Sequence, residues 1–325
     1  MIKIGPKKID TNIFLAPLSG CSDLAFRLIS REHGAKFCFF EMVDSNCLVH
    51  GPRHKTFSIL KTIEPDSPIA AQLLGNDPSV MLRAAREVMG CANISFLDIN
   101  AACPAKKIIK KKAGSYLLYD QGTLSKIVKK LSSALSIPVT VKMRLGYEKE
   151  TLKDILKFAK TCESSGAQAI FVHGRTRSQG YMGEVDYRSI KAIKDSVKIP
   201  VFGAGNILSP ELAKKMLDQT GCDGILVARG ALGNPWIFSQ IEEYLNNGRT
   251  MPPVNFSVKK AVLKKHLFYV ERYKVMSPSN KAGFMCKVAT WYLRGFPKAT
   301  RIRQKISIVK RYEEMIKLID ELTGP

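Results

Sequence analysis

A chain of 325 residues can form an α/β barrel of about 250 residues together with a small additional unit. Its 51 lysines and arginines exceed its 28 aspartates and glutamates, and the resulting net charge of +23 favours a polyanionic partner such as nucleic acid. The eight cysteines include no C-x-x-C pair and no signal peptide is seen, which argues against secretion, a disulfide framework and a zinc site. No apolar run approaches the roughly 20 residues that span a bilayer. We expect a cytoplasmic monomer without a metal or a membrane segment.

Short apolar runs alternate with helical stretches over residues 1–247. The predicted strands are Asn12–Ala16, Ala35–Glu41, Ile69–Leu73, Phe96–Asn100, Pro138–Met143, Ala169–His173, Pro200–Ala204 and Gly224–Ala228. The predicted helices are Ser22–Arg31, Ser79–Met89, Leu124–Leu135, Leu152–Ser164, Pro210–Leu217 and Pro235–Leu245. Eight strands in this alternation predict a closed parallel TIM (β/α)8 barrel rather than an open doubly wound sheet.

The sequence pattern changes after residue 247. A segment rich in asparagine, glycine and proline reads as a linker, and residues 254–325 show only helical spacing. This region carries many cations, including Lys298, Arg301, Arg303, Lys305, Lys310 and Arg311. We therefore predict a catalytic barrel over residues 1–247 and a small all-helical domain over residues 254–325 that binds nucleic acid.

Cys103 follows the fourth predicted strand, and five lysines arrive between residues 106 and 112. The loops after the carboxyl ends of the strands form the active face of a parallel barrel, so Cys103 is a candidate proton donor or nucleophile. Neighbouring cations would favour its thiolate. Alternatively, Cys103 is a buried cysteine that only packs in the core, and the lysines only form a charged surface in solvent. The residues at the other strand ends distinguish the two interpretations.

Small residues follow the seventh and eighth predicted strands, in Gly203–Ile207 and Ala228–Asn234. In many barrels these two loops bind a phosphate through backbone N–H groups, and small side chains allow the close approach. A single glycine cluster often marks only a tight turn, whereas two clusters at adjacent strand ends are stronger evidence for a binding site. The sequence therefore predicts a phosphorylated ligand.

Polar residues stand at the carboxyl ends of four other strands. They are Gln72, Asn100, Lys142, Arg144 and His173. An amide, a lysine and an imidazole suit the polar edge of a flavin, and the lysine cation favours negative charge on its reduced form. Each residue alone reads as a polar group capping a strand. Convergence of all five on one barrel face favours a binding site.

Six stretches together are highly specific to one family. They are APLSGCSDLAFR from Ala16, QLLG from Gln72, DINAACP from Asp98, VKMRLG from Val141, HGRTRSQGY from His173 and DGILVARGALGNPWIF from Asp223. On these stretches nearly the whole chain resembles the tRNA-dihydrouridine synthases, flavoproteins with an FMN-binding barrel and a C-terminal helical domain, and most resembles their bacterial B-type branch.

The resemblance implies FMN-dependent reduction of uridine to 5,6-dihydrouridine in tRNA, with NADPH or NADH as the reductant. It implies that FMN is held by Ala16, Pro17, Leu18, Gln72, Lys142, His173, Ala204, Gly205, Asn206, Ala228 and Arg229. It also implies that Cys103 donates the proton to uracil C5, and that Asn100 and Arg144 face the uracil. We add Lys106 as a substrate contact, since the lysines after Cys103 would grip RNA phosphates.

Two positions depart from the family pattern. Ala102 stands where the family commonly has glycine. If the backbone there had a positive φ, alanine would be disfavoured at this position. Asn206 replaces the usual aspartate, which keeps an acceptor and removes a charge.

Two other functions compete with tRNA modification. One is an FMN-dependent small-molecule oxidoreductase of the dihydropyrimidine or dihydroorotate dehydrogenase type, which would have no use for a basic helical domain. The other is a non-catalytic RNA-binding protein, which would have no need of Cys103, Lys142 and His173.

Overall fold

The structure is a computed structural model that describes residues 1–52, 58–293 and 299–322. Lys298 and residues 323–325 of the predicted helical domain lie outside the described residues. None of the helices in the described part of the chain is long and apolar enough to cross a membrane.

Eight parallel strands close into a barrel, which confirms the predicted fold class. A two-stranded hairpin precedes them, so the barrel begins with the third strand of the chain. The strands are β1 Ile2–Ile4, β2 Lys7–Ile9, β3 Ile13–Leu15, β4 Phe37–Asp44, β5 Ile69–Leu74, β6 Leu97–Ala101, β7 Val139–Arg144, β8 Ile170–His173, β9 Val201–Ala204 and β10 Gly224–Val227. β10 pairs with both β9 and β3 and so closes the ring.

Helices surround the barrel. They are α1 Leu24–Glu32, α2 Ser45–His50, α3 Pro78–Cys91, α4 Lys106–Ile109, α5 Gln121–Ala134, α6 Leu152–Ser164, α7 Tyr187–Ser196, α8 Pro210–Thr220 and α9 Ile237–Asn247. Side-chain N-caps begin most of them, for example Asp23 on α1 and Asp77 on α3. The sequence did not predict α2, α4 or α7, because two of these are short and α7 has few apolar repeats.

The hairpin of β1 and β2 closes the amino end of the barrel. Its inward residues Ile4 and Ile9 join the apolar cluster that fills the barrel interior. The hairpin was not predicted from the sequence, because strands of three residues carry too little alternation to be recognised. The result is a barrel whose amino end is plugged by apolar side chains.

Six phenylalanines fill the middle of the barrel. They are Phe14, Phe37, Phe39, Phe96, Phe171 and Phe202. Their rings pack closely, with centroids 4.5 Å apart for Phe14 and Phe37 and 4.6 Å apart for Phe171 and Phe202. Beyond this layer the inward positions of β5 to β8 become polar. That change creates the floor of a site at the carboxyl end.

Four helices form the C-terminal region. They are α10 Phe256–Tyr273, α11 Pro278–Tyr292, α12 Ala299–Ser307 and α13 Tyr312–Asp320. The ring of Phe26 on α1 lies 5.9 Å from His266 and 5.7 Å from Trp291, and Lys274 forms a 2.6 Å ion pair with Asp23. The same apolar core continues from the barrel helices into these four. The helical region is therefore packed directly on the barrel.

His266 is fully buried between the barrel and the helical region. Its Nδ1 lies 3.0 Å from the Tyr292 hydroxyl, while Nε2 has no hydrogen-bond partner within the described residues. Burial lowers the pKa of His266 to about 4, with Asp23 opposing this shift and Lys274 adding to it. The buried imidazole therefore stays neutral at physiological pH.

We expect this histidine to make the fold acid-sensitive. Below pH 6.5 the unfolded chain binds a proton that the folded protein cannot accept until about pH 4, so stability falls as the pH falls through this window. The loss from this group should be about 2 kcal/mol between neutral pH and pH 5. Urea unfolding at both pH values checks this, with His266→Gln as the comparison. An equal pH dependence in both proteins would contradict the assignment.

Candidate active site

A cavity of about 360 Å³ lies at the carboxyl end of the barrel. Every residue that the sequence analysis assigned to the site lines this cavity except Lys106. Lys106 is exposed at the first position of α4, outside the cavity lining. The strand ends therefore converge on one site, and Lys106 remains only a predicted contact with RNA.

A chain of hydrogen bonds crosses the cavity floor from β7 to β5 and β6. Asp98 accepts bonds from the Thr140 hydroxyl at 2.6 Å and from the Gln72 amide at 2.7 Å. Gln72 in turn accepts a bond from the Asn100 amide at 2.7 Å. Burial raises the pKa of Asp98, whereas the two bonds to its carboxylate oppose this rise. The network fixes the side-chain orientations of Gln72 and Asn100.

The Cys103 loop is held by hydrogen bonds on both sides. Asn100 Oδ1 accepts the backbone N–H groups of Ala102 at 3.0 Å and Cys103 at 2.9 Å. On the other side, the Ser115 hydroxyl donates to the Cys103 carbonyl at 2.9 Å. These bonds involve only backbone atoms of Cys103, so its thiol is left free to line the cavity. Ala102 has no positive φ, and the backbone conflict considered for alanine at this position does not arise.

Arg144 is almost fully buried and bonds to backbone carbonyls from two loops. Its Nε donates to Ala102 at 2.8 Å, and its Nη1 donates to Thr176 and Gly180 at 2.9 Å each. The guanidinium also lies 5.8 Å from the ring centroid of Tyr181. Burial lowers the pKa of Arg144, but the guanidinium stays protonated, and the carbonyl oxygens carry no formal charge that would neutralise it at the cavity wall.

Cations dominate the electrostatics around His173. Burial and the neighbouring charges of Lys142, Arg144, Arg175 and Arg229 lower the pKa of His173 to about 2, so its imidazole is neutral. Its Nδ1 is buried without a hydrogen-bond partner among the described residues. Burial, and then Arg144, lower the pKa of Lys142. This wall therefore suits an anionic ligand that has a polar edge.

The loop after β9 has a backbone that a ligand can approach closely. Gly205 has a φ of +122°, which side chains rarely adopt, and Asn206 follows in the left-handed region with a φ of +51°. Asparagine tolerates that region well. The Asn206 Oδ1 accepts a 3.1 Å bond from Arg229 Nη2, and the Arg229 guanidinium lies 4.7 Å from the Tyr181 ring. Asn206 therefore links the two loops predicted to bind a phosphate.

Several residues of the cavity lining were not assigned to the site from the sequence, and three of them have polarisable or aromatic side chains. Met42 reaches the cavity because the pairing register of β4 shifts between Phe39 and Met42. Cys21 and Tyr181 lie in loops after β3 and β8, where no periodicity points inward. Met42 could not have been found from the sequence, because a register shift leaves no trace in the pattern of strands. Tyr181 could have been found, because an aromatic residue in a loop rich in cations indicates a binding site.

The helical region reaches the rim of the cavity. The Gly20 N–H donates to the Glu41 carboxylate, and the Gly20 carbonyl accepts a 2.8 Å bond from Lys287 on α11. At Gly233 a Cβ would lie 2.2 Å from the carbonyl oxygen of Trp291, so only glycine fits. Two loops beside the cavity are thus positioned by α11.

Comparison with known proteins places the chain among homologues along its length. A model of the family described as "Dihydrouridine synthase (Dus)" matches residues 14–323. The tRNA-dihydrouridine synthase B of Pseudomonas aeruginosa is 37% identical over 312 residues, covering 94% of this chain and 91% of that protein. The protein of the same name from Vibrio cholerae is 34% identical over 323 residues, covering 98% of each.

Solved structures share the fold at low sequence identity. A 2-naphthoyl-CoA reductase in complex with 2-naphthoyl-CoA aligns with a TM-score of 0.59 and 13% identity, covering 74% of this chain and 51% of that chain. An old yellow enzyme homologue from Zymomonas mobilis aligns with a TM-score of 0.54 and 12% identity, covering 79% and 94%. These likenesses show the barrel fold alone.

Proposed function

The chain belongs to the dihydrouridine synthase family, and we propose that it reduces uridine to 5,6-dihydrouridine in tRNA, with FMN as cofactor and NADPH or NADH as reductant. It would act as a cytoplasmic monomer. The observation that carries this proposal is the convergence of the Cys103 loop and a cationic wall on one cavity at the carboxyl end of the barrel. Neither a small substrate nor simple RNA binding accounts for this convergence together with the basic helical region.

The residues present fit FMN. The Nδ1 of His173, which has no hydrogen-bond partner among the described residues, and the ammonium of Lys142 can both bond to the polar edge of an isoalloxazine. Gly205, Asn206 and Arg229 offer a close backbone and a cation for one phosphate. Bound FMN supplies the hydride that uracil C6 receives. The single pair of phosphate loops favours FMN, which carries one phosphate, over FAD.

Cys103 would supply the proton. Saturation of the uracil double bond adds a hydride at C6 and a proton at C5, so one acid is required. The Cys103 thiol lines the cavity on a loop fixed by Asn100 and Ser115, and after donation it would recover a proton from solvent. Arg144 would stabilise the negative charge that develops on a uracil carbonyl. Asn100 would also face the uracil, although its amide already holds the loop and Gln72.

The basic helical region would hold the tRNA. A uridine inside folded tRNA must leave its stack to enter the cavity, which costs a few kcal/mol that contacts elsewhere must offset. The side chains of Arg301, Arg303 and Lys310 are exposed and form no ion pair within the described residues. We propose residues 254–325 as the tRNA-binding domain on this basis.

Replacing these three cations with glutamine should make tRNA binding less salt-dependent. Each lost phosphate contact removes about 0.7–0.9 from the slope of log K against log salt, so the slope should fall by about 2 to 3. Filter binding at several salt concentrations measures it. Glutamine at Lys153, Lys157 and Lys160 on α6 is the matched control for net charge. Equal slopes in both triple variants would contradict the proposed tRNA surface.

Activity on defined RNA tests the function itself. The full-length protein, supplied with NADPH or NADH, should form dihydrouridine in an unmodified tRNA transcript and should release FMN on denaturation. Release of FAD would contradict the cofactor assignment. Reduction of free pyrimidines without reduction of tRNA would favour the small-molecule oxidoreductase, and tRNA binding without any reduction would favour the RNA-binding protein.

A further inference from the structure

Three tyrosines form a cluster that the proposed reaction does not use, in the segments that follow β6 and β7 and outside the cavity lining. The ring centroids of Tyr116 and Tyr119 are 5.7 Å apart, and Tyr147 lies 6.4 Å from Tyr116 and 6.3 Å from Tyr119. Tyr119 is 74% exposed, although it belongs to a well-packed segment. We call these three residues the tyrosine cluster. Tyr116 and Tyr147 are half-buried and support the exposed ring of Tyr119 from beneath.

The tyrosine cluster is attached to the catalytic loops by hydrogen bonds. Ser115, next to Tyr116, donates from both its backbone N–H and its hydroxyl to the Cys103 carbonyl. Tyr147 follows Arg144 by three residues, and its carbonyl accepts a 3.1 Å bond from the Ser178 N–H. Both halves of the cluster are therefore fixed relative to the thiol and guanidinium at the cavity wall.

One cation contacts the cluster, and three more lie on or directly after α4, in the same loop region that leads from Cys103 to Tyr116. The Arg177 guanidinium lies 4.6 Å from the Tyr147 ring centroid. Lys106, Lys107 and Lys110 are exposed and form no ion pair within the described residues. The nearby carboxylate of Glu150 accepts the backbone N–H groups of residues 147 and 148 instead of pairing with a cation. Asp120, next to Tyr119, is engaged as the N-cap of α5 through Thr123. The surface thus combines one exposed aromatic ring with cations that form no ion pair within the described residues.

This combination is the chemistry that recognises unpaired nucleotides. Aromatic rings stack on nucleobases, and neighbouring cations contact the phosphates, without any need for a particular sequence. Protein or membrane partners would need a broader apolar area than one exposed tyrosine ring provides. An extruded uridine also leaves its neighbouring bases unstacked at the mouth of the cavity.

We propose that the tyrosine cluster stacks an unpaired base of the RNA substrate that lies next to the target uridine. This inference rests on the proposed function, because the adjacent uridine occupies the cavity. Tyr119 forms the exposed ring, and Lys106 and Lys110 contact the flanking phosphates. The stacked base fixes the register of the RNA at the cavity and offsets part of the cost of extrusion.

Fluorescence of a base analogue tests the stacking. An unmodified tRNA transcript carries 2-aminopurine at the nucleotide 5′ or 3′ to the target uridine, and binding of wild-type protein should quench one of the two probes. Tyr119→Leu should remove the quenching and weaken tRNA binding by about 5- to 150-fold, the range for loss of one stacked base. Tyr119→Phe, which keeps the ring, should restore both. Tyr244→Leu on α9, outside the cavity lining, is the matched control.

Several results would overturn the inference. They are unchanged affinity and quenching in Tyr119→Leu, an equal loss in Tyr119→Phe, or quenching of neither probe by wild-type protein. Steady-state kinetics add a second readout, because loss of stacking should raise KM for tRNA more than it lowers kcat. The proposed function can be contradicted without contradicting the stacking site. A wild-type protein that quenches a probe through Tyr119 but forms no dihydrouridine would retain the stacking site and lose the reaction.

Discussion

Replacing Cys103 with alanine should lower the rate of dihydrouridine formation by about 10²- to 10⁴-fold, the usual contribution of a positioned general acid. The fold and the loop should survive, because the bonds from Asn100 and Ser115 reach only backbone atoms of residue 103. Binding of FMN, oxidation of NADPH and binding of tRNA require no thiol and should persist. The loss should therefore appear only in the half-reaction that consumes tRNA.

Single-turnover kinetics isolate that half-reaction. Enzyme reduced in advance is mixed with tRNA, and reoxidation is followed by absorbance. Cys21→Ala is the matched control, since Cys21 is the second thiol that lines the same cavity. A Cys103→Ala protein that reoxidises at the wild-type rate would remove this residue from the mechanism. A comparable loss in Cys21→Ala would move the proton donor to the other side of the site.

A chain shortened to residues 1–253 should not yield a stable barrel that binds cofactor. Residues Leu24–Ser30 of α1 are all buried, because the barrel covers one side of this helix and α10 packs against it from the helical region. Uncovering a large apolar side chain such as Phe26 costs about 1.5–3 kcal/mol. Several such losses approach the 5–15 kcal/mol by which domains are typically stable.

The shortened chain would also lose polar contacts in the loop between β3 and α1. Asp23 would lose its ion pair with Lys274, and the Gly20 carbonyl would lose Lys287. Soluble yield, thermal unfolding and flavin content measure the effect. The glutamine variant of Arg301, Arg303 and Lys310 serves as the control, because it alters the surface of the helical region without uncovering α1. A soluble residue 1–253 barrel that takes up FMN would show that the two parts are independent.

Most of the barrel could be predicted because each buried strand is a short, mainly apolar run that ends at a polar or small residue. Convergence of Gln72, Asn100, Lys142 and His173 followed from the geometry of a parallel barrel, in which the carboxyl ends of all strands meet on one face. That prediction depended on the positions of these residues along the strands and did not require the contacts of any one side chain.

The remaining features depend on tertiary contacts that periodicity does not encode. The sequence shows that Arg144 is a cation, but only the fold shows that its guanidinium bonds to carbonyls of two separate loops. Met42 enters the cavity through a register shift. The lysine run did not indicate which of its side chains would reach the cavity, and the structure places Lys106 in an exposed position outside the cavity lining.

The plugged amino end of the barrel constrains the order of binding. Ile4 and Ile9 fill the bottom and the phenylalanines fill the middle, so the described cavity opens at the carboxyl end. The nicotinamide and the uracil would each have to reach the flavin through that opening. Because both would use one opening, we expect them to alternate there, in a ping-pong order in which the oxidised nucleotide leaves before the tRNA base enters.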